Sequence, residues 1–106
     1  MTSRRVEFLE FVENDLRDAR AYYDSWKADG AVWFGKRFRE AISWIESNPE
    51  LFPKKYGDFR RAIVRRSYFG PFYEIEPEVT TVVALLDLRR SPEAMKHALR
   101  QRARRP

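Results

Sequence analysis

Val82 to Leu86 reads VVALL, the longest uninterrupted apolar run in the chain, and it constrains the fold more than any other segment. Its five residues are far too few to span a bilayer, which takes about 20 in a helix. A strand with no polar alternation has both faces out of water. The run is therefore predicted to be a central strand, with helices on one side of its sheet and further protein on the other. Its surroundings agree. TTVVALLDL (80–88) is the last of three consecutive β-rich segments, after RRAIVRRS (60–67) and GPFYEIEPE (70–78), each bounded by turn residues. Short connections between them predict an antiparallel meander. Pro71 has no N–H to give a ladder, so the middle strand is predicted to start at Phe72, with Pro77 marking the turn before Thr80.

Upstream, Val6 and Phe8 alternate with Arg5 and Glu7, which predicts a short first strand over Arg5 to Phe8. From Asn14 the period becomes helical: Leu16, Ala19, Tyr23 and Trp26 recur at spacings of three and four, with Asn14 or Asp15 as the N-cap. Asp29-Gly30 ends this helix, Gly30 being the expected left-handed cap. Ala31, Phe34, Phe38, Ile42 and Ile45 form a second stripe, stopped at Asn48-Pro49. The stretch PELFPKKYGDF (49–59) holds two prolines and a glycine and reads as a loop exposing Lys54 and Lys55. Ser91 caps, and Pro92 opens, a C-terminal helix with Met95, Ala98 and Leu99 as its apolar stripe. The predicted order is β-α-α-β-β-β-α, an α+β fold with a small antiparallel sheet and a two-helix hairpin packed on it. With 106 residues the chain is expected to form a single domain over 1–106.

Hydrophobic residues make up 43% and aromatics 15%, enough for a core without disulfides. Cysteine is absent, which excludes disulfides and thiolate catalysis, and zinc would need His97 plus carboxylates, so no metal or cofactor is expected. MTSRRVEF has a charged start but no apolar stretch behind it, which reads as a soluble cytoplasmic protein. Lys and Arg number 21 against 16 Asp and Glu, a net charge of +5, and the excess is uneven. Glu7, Glu10, Glu13, Asp15, Asp18 and Asp24 crowd the first half. From Arg89 onward, Arg89, Arg90, Lys96, Arg100, Arg102, Arg104 and Arg105 face only Glu93. Such a surface suits a nucleic-acid, ribosomal or acidic-protein partner. In LLDLRRSP (85–92) the central strand finishes on two arginines and turns at once into a capped helix. That places two cations on a rigid support, suited to a fixed anionic target.

Taken together, these residues resemble the RelE/ParE toxins of bacterial toxin–antitoxin modules, once called plasmid stabilisation proteins. The likeness runs through Val6 to Phe8, Asp15-Leu16, Tyr22-Tyr23, Asn48-Pro49-Glu50 with Phe52-Pro53, Arg60-Arg61, Phe72 to Glu76, and Leu85 to Pro92. The family often writes a His, one variable residue, Arg-Arg and Asp-Pro at the last place; here Asp87 stands where the His would be. Ser67 to Pro71 likewise replaces the family's Phe-Pro-Tyr. The resemblance implies a toxin held inactive by a cognate antitoxin, and two modes of action. A ParE-like toxin inhibits DNA gyrase or topoisomerase by binding, without being an enzyme. A RelE-like toxin is an endoribonuclease that cleaves messenger RNA on the ribosome.

RNA cleavage by 2′-hydroxyl attack needs a base, cations around the phosphate and an acid for the leaving oxygen. Lys54, Lys55, Arg61 and Arg89 are the candidates for that chemistry. Proton carriers are scarce: residues 91–106 hold no Tyr and only His97, which reads more simply as a helix-surface residue. The ParE-like reading therefore leads, with Arg61, Arg65, Arg89 and Arg90 as target-binding residues. Tyr23, Trp26, Trp33 and Phe72 are the residues expected to meet the antitoxin. Against each stands a plain structural role: Arg89 and Arg90 as a solvated strand end or partners of Glu74 and Glu76, Lys54-Lys55 as a solvated loop, the tryptophans as core.

Overall fold

The computed structural model of the protein describes residues 5–103. The elements are β1 (Val6–Phe8), α1 (Phe11–Asp24), α2 (Gly30–Ser47), β2 (Lys54–Tyr56), β3 (Phe59–Arg61), β4 (Phe69–Ile75), β5 (Thr80–Asp87) and α3 (Pro92–Ala103). The strands form one sheet in the order β1-β5-β4-β3-β2. β1 runs parallel to β5 and every other pair is antiparallel. The α+β class and the helical hairpin on a sheet match the sequence expectation, but the sheet is mixed. The hairpin carries the chain from β1 at one edge of the sheet to β2 at the other, and the antiparallel run β2-β3-β4 then brings it back to β5 beside β1, in β1's own direction.

β5 occupies the place its apolar run requires, between β1 and β4, with Thr80 to Leu86 all buried. On one face Val82 and Leu85 join Ala19, Tyr23, Phe34, Phe38 and Ile45 of the hairpin. On the other, Val83 and Leu86 pack under Met95 and Leu99 of α3, which is the further protein the sequence called for. Each such large side chain contributes about 1.5–3 kcal/mol on leaving water. α3 starts as predicted: the Ser91 Oγ accepts the Ala94 amide at 3.1 Å and Pro92 is the first helical residue. No described helix is long and apolar enough to cross a membrane.

The first helix begins at Phe11, not at an Asn14 or Asp15 cap, and Asp15 is used elsewhere. β1 ends opposite Val82, so the Leu85 amide of β5 has no strand beside it, and the Asp15 carboxylate accepts that amide at 3.0 Å. The same carboxylate receives the Arg102 guanidinium of α3 on both oxygens, at 2.9 Å on Oδ1. One side chain thus joins α1, β5 and α3. Arg102 is therefore structural; Arg104 and Arg105 lie outside the described residues. Tyr73 makes a comparable tie: its buried hydroxyl donates to the Pro49 carbonyl at 2.6 Å, and burial pushes the phenol up to about 12.

Four local readings change. Asp29, at φ 55°, takes the left-handed position between the helices, and Gly30 opens α2. Glycine is required at 30 for another reason: a Cβ there would overlap the Tyr23 carbonyl oxygen. The stretch read as a loop contains β2, which turns at Gly57 (φ 55°) and Asp58 into β3, with Tyr56 opposite Phe59. β3 spans Phe59–Arg61, so of the strand expected over 60–67 it holds only Arg60 and Arg61. Finally, β4 starts at Phe69 despite Pro71. Its ladder with β3 closes at Arg61 opposite Phe72, and beyond it Pro71 acts only as an acceptor, from the Ala62 amide at 3.1 Å.

Candidate functional site

The end of β5 builds a compact arginine–tyrosine cluster. Asp87 closes the strand, and the Leu88 amide donates to the Tyr68 carbonyl at 2.7 Å, which pins the turn that follows. The Asp87 Oδ1 accepts the Arg89 amide at 3.0 Å and the Arg89 Nε at 2.9 Å, while Oδ2 accepts a terminal nitrogen at 2.7 Å. The other terminal nitrogen of Arg89 donates to the Tyr22 hydroxyl of α1 at 3.2 Å. The guanidinium carbon lies 4.2 Å from the centre of the Tyr68 ring and 5.2 Å from that of Tyr22, so the cation is stacked as well as hydrogen-bonded.

Charge follows geometry. Hydrogen bonds from Arg89 hold the Asp87 carboxyl below the ordinary carboxylate range, and Asp87 in turn raises Arg89, with the Tyr22 hydroxyl adding to it. The pair is therefore close to neutral at neutral pH, and exposed Arg90 supplies the charge at this end of the sheet. Beside the Arg89–Tyr22 contact stand half-exposed Tyr68 and exposed Trp26, the latter 58% accessible and 6.2 Å from the Tyr22 ring, centre to centre. Arg, Tyr and Trp presented together have the composition of a protein-binding hot spot.

The other predicted residues divide among separate surroundings. Arg61 and Lys55 line one cavity of about 230 Å³ with Phe52, Pro53 and Ile63. Arg61 stands opposite Phe72, whose side chain packs under α3. Arg65 instead pairs with Glu40 of α2 at 3.3 Å, and Lys54 pairs with Asp58 at 3.3 Å. The four arginines expected to bind a target thus do not converge: Arg61 lies with Lys55 and Phe52, Arg65 with Glu40 of α2, and Arg89 with Tyr22 at the end of β5. The four residues considered for RNA cleavage do not assemble either; only Lys55 and Arg61 adjoin. His97 is exposed on α3, as its position on the helix suggested.

Of the residues expected to meet an antitoxin, Tyr23 and Phe72 are core. Tyr23 stacks on Phe34 at 5.2 Å and its hydroxyl accepts the Tyr68 amide at 2.9 Å; Phe72 stacks on Tyr56 at 6.0 Å. Neither reaches a surface, because an apolar stripe does not say which of its members lies deepest. Trp33 is half-buried under the Lys27 ammonium, 4.2 Å above its ring, and Trp26 alone is open. Sequence reasoning missed the parts of Tyr22, Tyr68 and Asp87. For Asp87 the signal was present: in a turn an Asp side chain accepts the backbone amide two residues on, as the Asp87 Oδ1 does from Arg89, which brings the carboxylate to the Arg89 guanidinium.

At the level of sequence the chain matches no family model and no curated protein. In three dimensions it is similar to solved toxin structures. A structure of the chromosomal ParDE TA system from P. aeruginosa aligns with a TM-score of 0.71 at 10% identity, over 81% of this chain and 97% of that one. The E. coli toxin RelE, in the free state and carrying two arginine-to-alanine substitutions, aligns with a TM-score of 0.60 at 13% identity, over 94% and 98%. The chain therefore has the RelE/ParE toxin fold.

Proposed function

We propose that this protein is the toxin of a two-component toxin–antitoxin module and acts in the ParE manner: it binds DNA gyrase or a related topoisomerase, and a cognate antitoxin neutralises it. The observation that carries binding over cleavage is the state of Arg89. Its guanidinium is committed to Asp87 and Tyr22 and stacked on Tyr68, and so forms part of a rigid recognition surface. An arginine whose charge is largely met by a carboxylate is a poor stabiliser of a crowded phosphate. The dispersal of Lys54, Lys55, Arg61 and Arg89 supports the same reading, since general acid–base chemistry needs its groups within hydrogen-bond reach of one substrate. The likeness to the ParDE structure, with its TM-score of 0.71, accords with it.

Production of the protein alone should arrest growth, and co-production with the product of the adjacent gene should restore growth and yield one copurifying species. Growth unaffected by the protein alone, or two soluble proteins that never copurify, would contradict the toxin reading.

A further inference from the structure

A cavity of about 360 Å³ lies between the β2–β3 hairpin and α3. Lys55, Tyr56 and Phe59 line it from the hairpin, and Lys96 and Arg100 from the helix. It is separate from the cluster around Arg89, and it shares only Lys55 with the smaller cavity that holds Arg61.

Three cations line this cavity and, among the described residues, no carboxylate does. Lys96 and Arg100 stand one turn apart on α3 and so share a face of it. Lys55 comes from β2 on the other wall. Cations elsewhere on the molecule are matched: Lys54 by Asp58, Arg65 by Glu40, Arg89 by Asp87 and Arg102 by Asp15. Lys55, Lys96 and Arg100 have no ion-pair partner among the described residues. What gathers the two lysines is a ring: their ammonium groups lie 5.7 and 5.4 Å from the centre of Tyr56. Like charges drawn to one ring, beside a third in a concave site, focus positive potential, and an anion is the species that relieves it.

We propose that this cavity is a binding site for a diphosphate group, free as pyrophosphate or carried by a nucleotide. The site is independent of the target that the toxin reading assigns. The Arg100 guanidinium can hold two oxygens of one phosphate side by side, and the Lys55 and Lys96 ammonium groups act as point charges on the other. Cations on opposite walls suit two linked phosphates better than one. The base of a nucleotide is left unread, because Tyr56 already stacks on Phe72, with the rings within 9° of parallel, and carries the two ammonium groups as well. A bound diphosphate ties the β2–β3 hairpin to α3, so it should also stabilise the fold.

In the test, the full-length protein is titrated in a calorimeter with pyrophosphate, ADP, adenosine, citrate and a single-stranded oligoribonucleotide with hydroxyl ends. Pyrophosphate and ADP should each bind at one site with similar affinity, weakened by salt, and should raise the melting temperature as their concentration rises. Adenosine should not bind. Lys96→Gln with Arg100→Gln should weaken pyrophosphate roughly tenfold or more. Glutamine is a good helix former and the change leaves Met95 and Leu99 in place, so this variant should melt with the parent. Lys55→Gln should weaken pyrophosphate several-fold from the hairpin side, which tests the site without touching α3. Arg17→Gln, which removes one charge from α1, should change nothing. The proposal is overturned if citrate binds as tightly as pyrophosphate, since charge alone would then suffice. It is overturned equally if the oligoribonucleotide binds more tightly and displaces pyrophosphate, if ADP does not bind while adenosine does, if Arg17→Gln weakens binding as much as Lys55→Gln, or if both cavity variants bind like the parent.

Discussion

An Arg89→Ala, Arg90→Ala double variant should melt with the parent and lose growth arrest by on the order of a hundredfold or more. Both side chains are exposed, and the Arg89–Asp87 pair lies in water, where ion pairs add little to stability. Their value lies in a complex. There the flat Arg89, held against Tyr68 and Tyr22, would be buried as a recognition surface and the Arg90 cation desolvated against an anionic partner, and loss of such contacts weakens binding by orders of magnitude. Melting and growth arrest are measured side by side on each variant. A folded double variant that arrests growth like the parent would show the two arginines to be plain surface. Single substitutions refine the result. Arg89→Ala also frees Tyr22 and Tyr68, so it should do more harm than Arg90→Ala.

Asp15→Ala should produce the largest loss of stability, about 3 kcal/mol. The Asp15 and Arg102 side chains are 13% and 20% accessible, so removing the carboxylate strands a half-buried guanidinium and leaves the Leu85 amide without an acceptor. Asp15→Asn keeps an acceptor for that amide and should lose about half as much. Denaturant unfolding of the two variants reads the difference. If Asp15→Ala unfolds at the parent's denaturant concentration, the tie between α1, β5 and α3 is not one that stability depends on.

What the sequence made legible was decided by local chemistry. The Ser91-Pro92 start of α3 and the two-sided burial of β5 were readable because a cap and an unbroken apolar run each have one physical explanation. β2 was hidden because Pro53, Gly57 and the lysines between them argue for a loop. The opposing signal was there, in Gly57-Asp58 set between Tyr56 and Phe59, a two-residue hairpin turn. Asp15 looked like a cap because an acid before a helical stripe usually is one, and nothing local announces an amide 70 residues away. The site was half legible for a similar reason. Arg89 and Arg90 stand out in one dimension, but Tyr22 and Tyr68 reach Arg89 only when α1 and the turn before β4 fold against the end of β5. Tyr23 and Phe72 show the converse: aromatic residues at the right spacing that the fold places too deep to touch a partner.

Inhibition by binding is measured most directly as gyrase supercoiling of relaxed plasmid with purified protein added. Supercoiling should fall and cleaved DNA accumulate as the protein is raised, the Arg89→Ala, Arg90→Ala variant should leave both unchanged, and messenger RNA on ribosomes should remain whole. Unaffected gyrase together with codon-positioned cuts in ribosome-bound messenger RNA would contradict inhibition by binding and make the protein a nuclease.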